Sequence, residues 1–252
     1  KEAVYGATDE EFIANLYYAI SAEIVSKAAK ILGKSEDEHY YSNLAKEQYD
    51  VVREEYYSVT GRCCIKTQTA VLLTLKYNLS DNKELVLKQL DELFEKNNNH
   101  LTTGFVGTPL MNNILTENGR VDLAYKLLLN EDYPGWLREV KLGATTVWER
   151  WNSLLDDGTI SGISMNSMNH YTYGSVLEWM FRYVAGINVV ENYPGAYCVH
   201  ITPKLNRELG NVASYYDSAS GRYEVCWKLM DSQHVEIKIT VPFGCKAYIT
   251  LP

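Results

Sequence analysis

Phenylalanine is scarce in this chain: 5 Phe stand against 20 Tyr. Tyr has an apolar face and a polar tip, so the bias suits wet, ring-lined concave surfaces. It follows equally from a genome that favours Tyr. Runs of Lys and Arg are missing, and the net charge is −8. Phosphate backbones are recognised by clustered cations, so nucleic acid is excluded as an expected partner. The longest apolar stretches reach only roughly half of the ~20 residues that a membrane span needs, so no membrane partner is expected either and the chain reads as soluble. Cysteine pairs at metal or redox spacing are also absent. Cys63, Cys64, Cys198, Cys226 and Cys245 are odd in number, and free thiols of this kind lean towards a reducing, cytoplasmic compartment. No metal cluster or cofactor motif is visible, so neither is expected. Lys1–Gly6 holds no Met and no signal-peptide apolar region.

What is present is a helical body followed by a strand-rich tail. Thr8 with Glu11 reads as a capping box, and Gly33 stands where a helix closes. Between them Phe12, Leu16, Ile20, Ile24 and Ala28 recur at helical spacing. Ser35 with Glu38 opens a second helix, which should fade before Gly61. Asp81 with Glu84 opens another, ending at Asn97. Further helices are expected over 66–77, 107–115, 120–129 and 170–184. Helices joined by short connectors suggest stacked antiparallel hairpins, arranged as a curved array or part of an α/α toroid. After residue 190 the period changes to two. Tyr223, Val225, Trp227 and Leu229 form one alternating run, and Val235, Ile237, Ile239 and Val241 form another. The link at 231–234 reads as a hairpin turn. Strands are also expected over 199–202, 212–216 and 246–251, giving an antiparallel β domain.

Three clusters stand out as candidates for chemistry. His100–Pro109 combines Gly, Thr and an aromatic before a helix, either to meet a sugar or as a tight interhelical turn. Thr145–Trp151 sets Glu149 between Trp148 and Trp151. Indole faces suit the flat apolar side of a sugar ring, and an adjacent carboxylate can activate a water. The same residues also suit a buried Glu–Arg pair stapling two helices. Asn166, Asn169, His170, Tyr171 and Tyr173 offer hydrogen bonds to sugar hydroxyls, or else Asn169 is an N-cap with His170 in the first helical turn. Glycoside hydrolysis normally uses two carboxyl groups, and no second carboxylate motif partners Glu149.

The order of motifs is distinctive. Thr67–Ala70 and Thr103–Pro109 come first, then Ala124–Leu129, Tyr133–Leu137, Gly143–Trp151 and Met168–Gly174. Tyr183–Ile187, Ala213–Ser218 and Gly221–Arg222 follow. This succession resembles the C-terminal half of bacterial α-L-rhamnosidases across nearly the whole chain. The resemblance implies part of an (α/α)6 barrel over 1–188 and a small antiparallel β-sandwich over 189–252, a mainly α fold with a C-terminal β domain. It implies inverting hydrolysis of terminal α-L-rhamnose from a glycoside or oligosaccharide, without a cofactor. Glu149 takes the role of general base and His170 that of a sugar contact, with Trp148, Asn169 and Gln68 as further pocket residues. The family's general acid lies in an acidic stretch followed by Trp-x-Gly-Asp, and this chain has no such stretch. It is therefore expected to be a fragment that supplies the base, lacks the acid and is inactive alone, with the missing N-terminal portion of the same polypeptide as its partner. The alternatives are another α/α-barrel glycosidase or lyase, and a non-catalytic carbohydrate-binding or scaffold protein.

Overall fold

The structure is a computed structural model that describes residues 7–162, 164–190 and 193–251. Lys1–Gly6, in which no leader was read, lies outside these. The chain divides into two compact units that meet between Ile114 and Leu115. No helix among the described residues is long and apolar enough to cross a membrane.

The first unit is helical. In α1, Glu10–Ile31, Asp9 rather than Thr8 is the N-cap, and its carboxylate accepts the Phe12 N–H at 2.8 Å. Thr8 shares a 2.8 Å hydrogen bond with the Thr67 hydroxyl instead, which is why the expected box is displaced by one residue. Gly33, at φ 68°, lets the chain turn so that the Lys34 N–H reaches the Ala29 carbonyl at 2.9 Å, closing the helix end. The hairpin partner α2, Ser35–Tyr56, donates the Tyr49 hydroxyl to Glu23 at 2.8 Å. There follow α3 (Gln68–Lys76), α4 (Lys83–Lys96) and α5 (Thr108–Glu117). Phe12, Leu16, Ile20, Val52, Ala70, Leu73 and Leu79 share one core. Each such side chain removed from water contributes about 1–3 kcal/mol. The apolar stripe of α1 does not stay buried along its length, because Ile24 is 61% exposed.

The second unit combines α6 (Val121–Leu128), α7 (Trp136–Lys141), a short terminal helix and all six strands. Helix α7 has no counterpart in the sequence-based expectation. The element expected over 170–184 is composite. A 3₁₀ turn at Thr172–Ser175 leads into α8, Val176–Trp179, and then a π turn at Met180–Val184. The π turn closes with the Ala185 N–H on the Met180 carbonyl at 2.8 Å. Trp179 anchors it, donating its indole N–H to Thr116 at 2.8 Å and meeting Tyr125 edge-on.

The strands are β1 (Ile187–Val189), β2 (Cys198–Ile201), β3 (Asn211–Ser218), β4 (Gly221–Leu229), β5 (Val235–Thr240) and β6 (Lys246–Ile249). They form two three-stranded sheets, ordered β1-β2-β6 and β3-β4-β5. The second sheet is an antiparallel meander in which Tyr223, Val225 and Trp227 point inward, as their alternation requires. The first sheet is mixed, since β6 runs parallel to β2. The excursion through β3–β5 supplies the long connection that a parallel pair needs. Ile187, Val199 and Ile201 of one sheet share a core with Tyr223 and Val225 of the other. The buried polar tips are satisfied, with Trp227 donating to the Val184 carbonyl and Tyr223 to the Ala196 carbonyl.

Gly186 makes the passage from helix to sheet possible. It sits at φ 87°, and a Cβ there would lie 2.3 Å from the Pro203 nitrogen. Both the backbone region and the space exclude a side chain, and a backbone neighbour cannot swing aside. Gly186→Ala is expected to destabilise the chain by roughly 3 kcal/mol, read as a lower denaturant midpoint.

Candidate active site

Residues 145–151 form neither a helix nor a strand. They are held by a second irregular segment, 167–170, through the backbone. The Glu149 N–H donates to the Ser167 carbonyl at 2.9 Å, and the His170 N–H donates to the Val147 carbonyl at 2.8 Å. Thr146 adds its hydroxyl to the Met168 carbonyl. This ladder brings Glu149, Trp148, Asn169 and His170 into one local structure.

Glu149 is half-buried. The Ser167 N–H donates to its Oε2 at 2.6 Å, a charge-assisted bond that fixes where the carboxylate lies. The Arg150 guanidinium turns instead to the Ser164 carbonyl at 3.0 Å, and the Arg150 N–H meets the Ser153 hydroxyl at 3.2 Å. Neither a pair of stapled helices nor a pairing with Arg150 therefore accounts for Glu149. The His170 Nδ1 accepts the Thr172 N–H at 3.4 Å. Its ring stacks on Tyr171. Asn169 is exposed and is not a helix cap; its backbone N–H donates to the Ser167 hydroxyl, which donates in turn to the Asn169 carbonyl.

The same unit holds an aromatic cluster. Trp151 stacks on Tyr173 at 4.0 Å between ring centroids and meets Trp136 edge-on at 5.2 Å. Trp136 donates its indole N–H to the Tyr173 carbonyl at 2.9 Å. Trp148, 2% exposed, is also buried. Gln68 belongs to the first unit, where it opens α3 and is buried. Its amide donates to the His100 carbonyl at 3.0 Å and accepts the Thr102 N–H at 2.7 Å. Both ends thus engage backbone, and Gln68 anchors the His100–Pro109 segment as an interhelical turn.

One acid went unnoticed in the sequence. Glu139, on α7, is 3% exposed. Its Oε2 faces the Trp148 N–H at 3.5 Å, and its Oε1 has no hydrogen-bond partner among the described residues. Burial pushes its carboxyl up from an ordinary 4.5 to about 7, against smaller lowering effects of the Trp148 N–H and the Arg138 charge. The Tyr173 phenol is raised by burial first, and then by the charges of Glu139 and Glu149, so it lies within electrostatic reach of both. A usable signal was present: Trp136 and Glu139 are three residues apart, hence on one helix face, between Pro134–Gly135 and Gly143.

The model of the bacterial alpha-L-rhamnosidase 6 hairpin glycosidase domain matches residues 1–184, and that of the bacterial alpha-L-rhamnosidase C-terminal domain matches 186–252. The chain belongs to the bacterial α-L-rhamnosidase family. It is 35% identical to an alpha-L-rhamnosidase of Formosa agariphila over 98% of its length, and 36% identical to one of Alteromonas sp. strain LOR over all of it. It covers 27% and 28% of those two relatives, so it spans about a quarter of their length. Among solved structures, it is similar to the Streptomyces avermitilis alpha-L-rhamnosidase crystallised with L-rhamnose. That likeness has a TM-score of 0.88 and 33% identity, covering 98% of this chain and 24% of that one. The helical portion with a C-terminal β region is thus the rhamnosidase fold of this part of the family.

The raised acid carries a sign. Between pH 4.5 and about 7 the folded chain keeps a proton on Glu139 that the unfolded chain has released. Its contribution to stability is therefore complete below pH 4.5 and is lost as pH rises through about 7. The lift corresponds to on the order of 3 kcal/mol. Glu139→Gln, which cannot ionise, should gain stability relative to wild type across this window by an amount of that order. Denaturant unfolding of both proteins at pH 5, 6, 7 and 8 measures it.

Proposed function

We propose that this chain supplies the general-base half of an inverting α-L-rhamnosidase site. The observation that carries the reading is the Glu149 carboxylate, fixed by the Ser167 N–H in the same backbone ladder as His170, in a chain of this family. One carboxylate oxygen is anchored by that bond, and the half-buried side chain leaves the group within reach of solvent. Glu149 takes a proton from a water as that water attacks the anomeric carbon, on the face opposite the leaving group. The sugar's oxocarbenium-like transition state gains from the nearby negative charge, and its configuration inverts. His170 and Asn169 offer hydrogen bonds to the rhamnose hydroxyls, and Trp148 closes the wall next to the base.

The proton donor for the leaving oxygen comes from outside this chain, which spans about a quarter of its relatives. The substrate is a terminal α-L-rhamnosyl group of a glycoside or oligosaccharide, and the reaction needs no cofactor. The catalytic barrel portion runs to about residue 188 and the β-sandwich from 189, a division supported by the meeting of the two family models at 184–186. Without the donor the chain alone is slower by about 10²–10⁴-fold.

Hydrolysis of p-nitrophenyl α-L-rhamnopyranoside tests this. A polypeptide of the relatives' full length carrying this chain should release β-L-rhamnose first, seen by proton NMR. Glu149→Gln should lower kcat by about 10²–10⁴-fold. Release of the α anomer first, or cleavage confined to glucosides, would overturn the reading.

A further inference from the structure

Glu139 has the burial of a core residue but not the bonding of one. A structural buried acid is ordinarily paired or fully hydrogen-bonded, because leaving one oxygen without a partner costs about 1–3 kcal/mol. Glu139 keeps one oxygen on the Trp148 N–H at 3.5 Å and the other without a partner among the described residues. The adjacent cation acts on it only through its field and directs its hydrogen bonds elsewhere. Arg138 donates to the Trp151 and Leu154 carbonyls at 3.1 and 3.3 Å and to Asp156 at 2.7 Å. An apolar side chain of similar length would fill the site without this cost. What the carboxyl touches is the Val147–Trp148 peptide, one unit before the one that carries the Glu149 N–H, and Tyr173 lies within electrostatic reach of both acids.

We propose that Glu139 is a positioning residue that holds the Trp148 peptide and thereby sets the direction of the Glu149 carboxylate. The ladder to 167–170 fixes Glu149 from one side, through Ser167. Glu139 fixes the preceding peptide from the α7 side. A base restrained from both sides keeps its reach to the attacking water, and small misplacements of such a group are costly. The unpartnered oxygen is the energetic mark of that role, a stability cost borne next to the reacting group. This inference rests on the reading of Glu149 as general base.

The experiment compares wild type, Glu139→Leu, Glu139→Gln, Glu139→Asp and Glu149→Gln in the full-length polypeptide. It measures kcat and KM on p-nitrophenyl α-L-rhamnopyranoside together with thermal unfolding. Glu139→Leu should be at least as stable as wild type at pH 7, yet lose about 10- to 100-fold in kcat with KM little changed. Glu139→Gln, whose carbonyl still accepts from the Trp148 N–H, should keep kcat within about threefold of wild type. Glu139→Asp retains the acid but withdraws it from the peptide, and should lose kcat as the Leu variant does; it decides the matter if the Leu variant does not fold. Full kcat in a folded Glu139→Leu or Glu139→Asp would overturn the proposal, as would equal losses in the Leu and Gln variants. A wild-type polypeptide that cleaves no rhamnoside, or a Glu149→Gln variant with full kcat, would instead overturn the reading beneath it, and this inference with it.

Discussion

The backbone pairing of Val147–Glu149 with Ser167–His170 is the constraint on which the site depends. Neither segment has regular helical or strand structure to hold its side chains. Each hydrogen bond contributes only about 0.5–1.5 kcal/mol net. Their effect lies in geometry. Because Glu149 both donates from its N–H and accepts at its carboxylate from the same residue, Ser167, neither its backbone nor its side chain can move alone. Trp136, Trp151 and Tyr173 pack as one aromatic cluster in the same unit, and the Trp136 indole is tied to the Tyr173 carbonyl in the 3₁₀ turn that leads into α8.

This arrangement carries stability costs around Glu149. A half-buried carboxylate, a buried acid with an unpartnered oxygen and several buried indoles lie within a short stretch of chain. The β region is more conventional. Its inward Tyr223, Val225 and Trp227 are fully buried, and both buried polar tips are bonded. That core is where the β region draws its stability.

Much of this was legible before any coordinates. The change of period near residue 190 located the β region, and the alternation of Tyr223, Val225 and Trp227 fixed which face is buried. Caps were read to within a residue or two, with Asp9 and Asn82 taking the places of Thr8 and Asp81. The errors share a physical cause, dependence on contacts distant in sequence. Helix α7 is six residues long, too short to be stable by propensity, and is set by what Trp136 and Arg138 touch. The parallel pairing of β2 with β6 is a long-range choice that alternation cannot reveal. The acid of Glu139 is anomalous only because the fold buries it, and Arg150 meets Ser164 rather than Glu149 for reasons that adjacency in sequence concealed.

The most direct measurement follows backbone amide shifts by NMR as L-rhamnose is added, in this chain and in a polypeptide of its relatives' full length. If the paired loops form the sugar site, the amides of Glu149, Ser167 and His170 shift together with one saturation curve in the full-length protein, and Glu149→Gln leaves that pattern in place while lowering kcat by about 10²–10⁴-fold. Saturable binding of L-rhamnose that leaves these three amides unmoved would contradict the assignment of the site to this ladder.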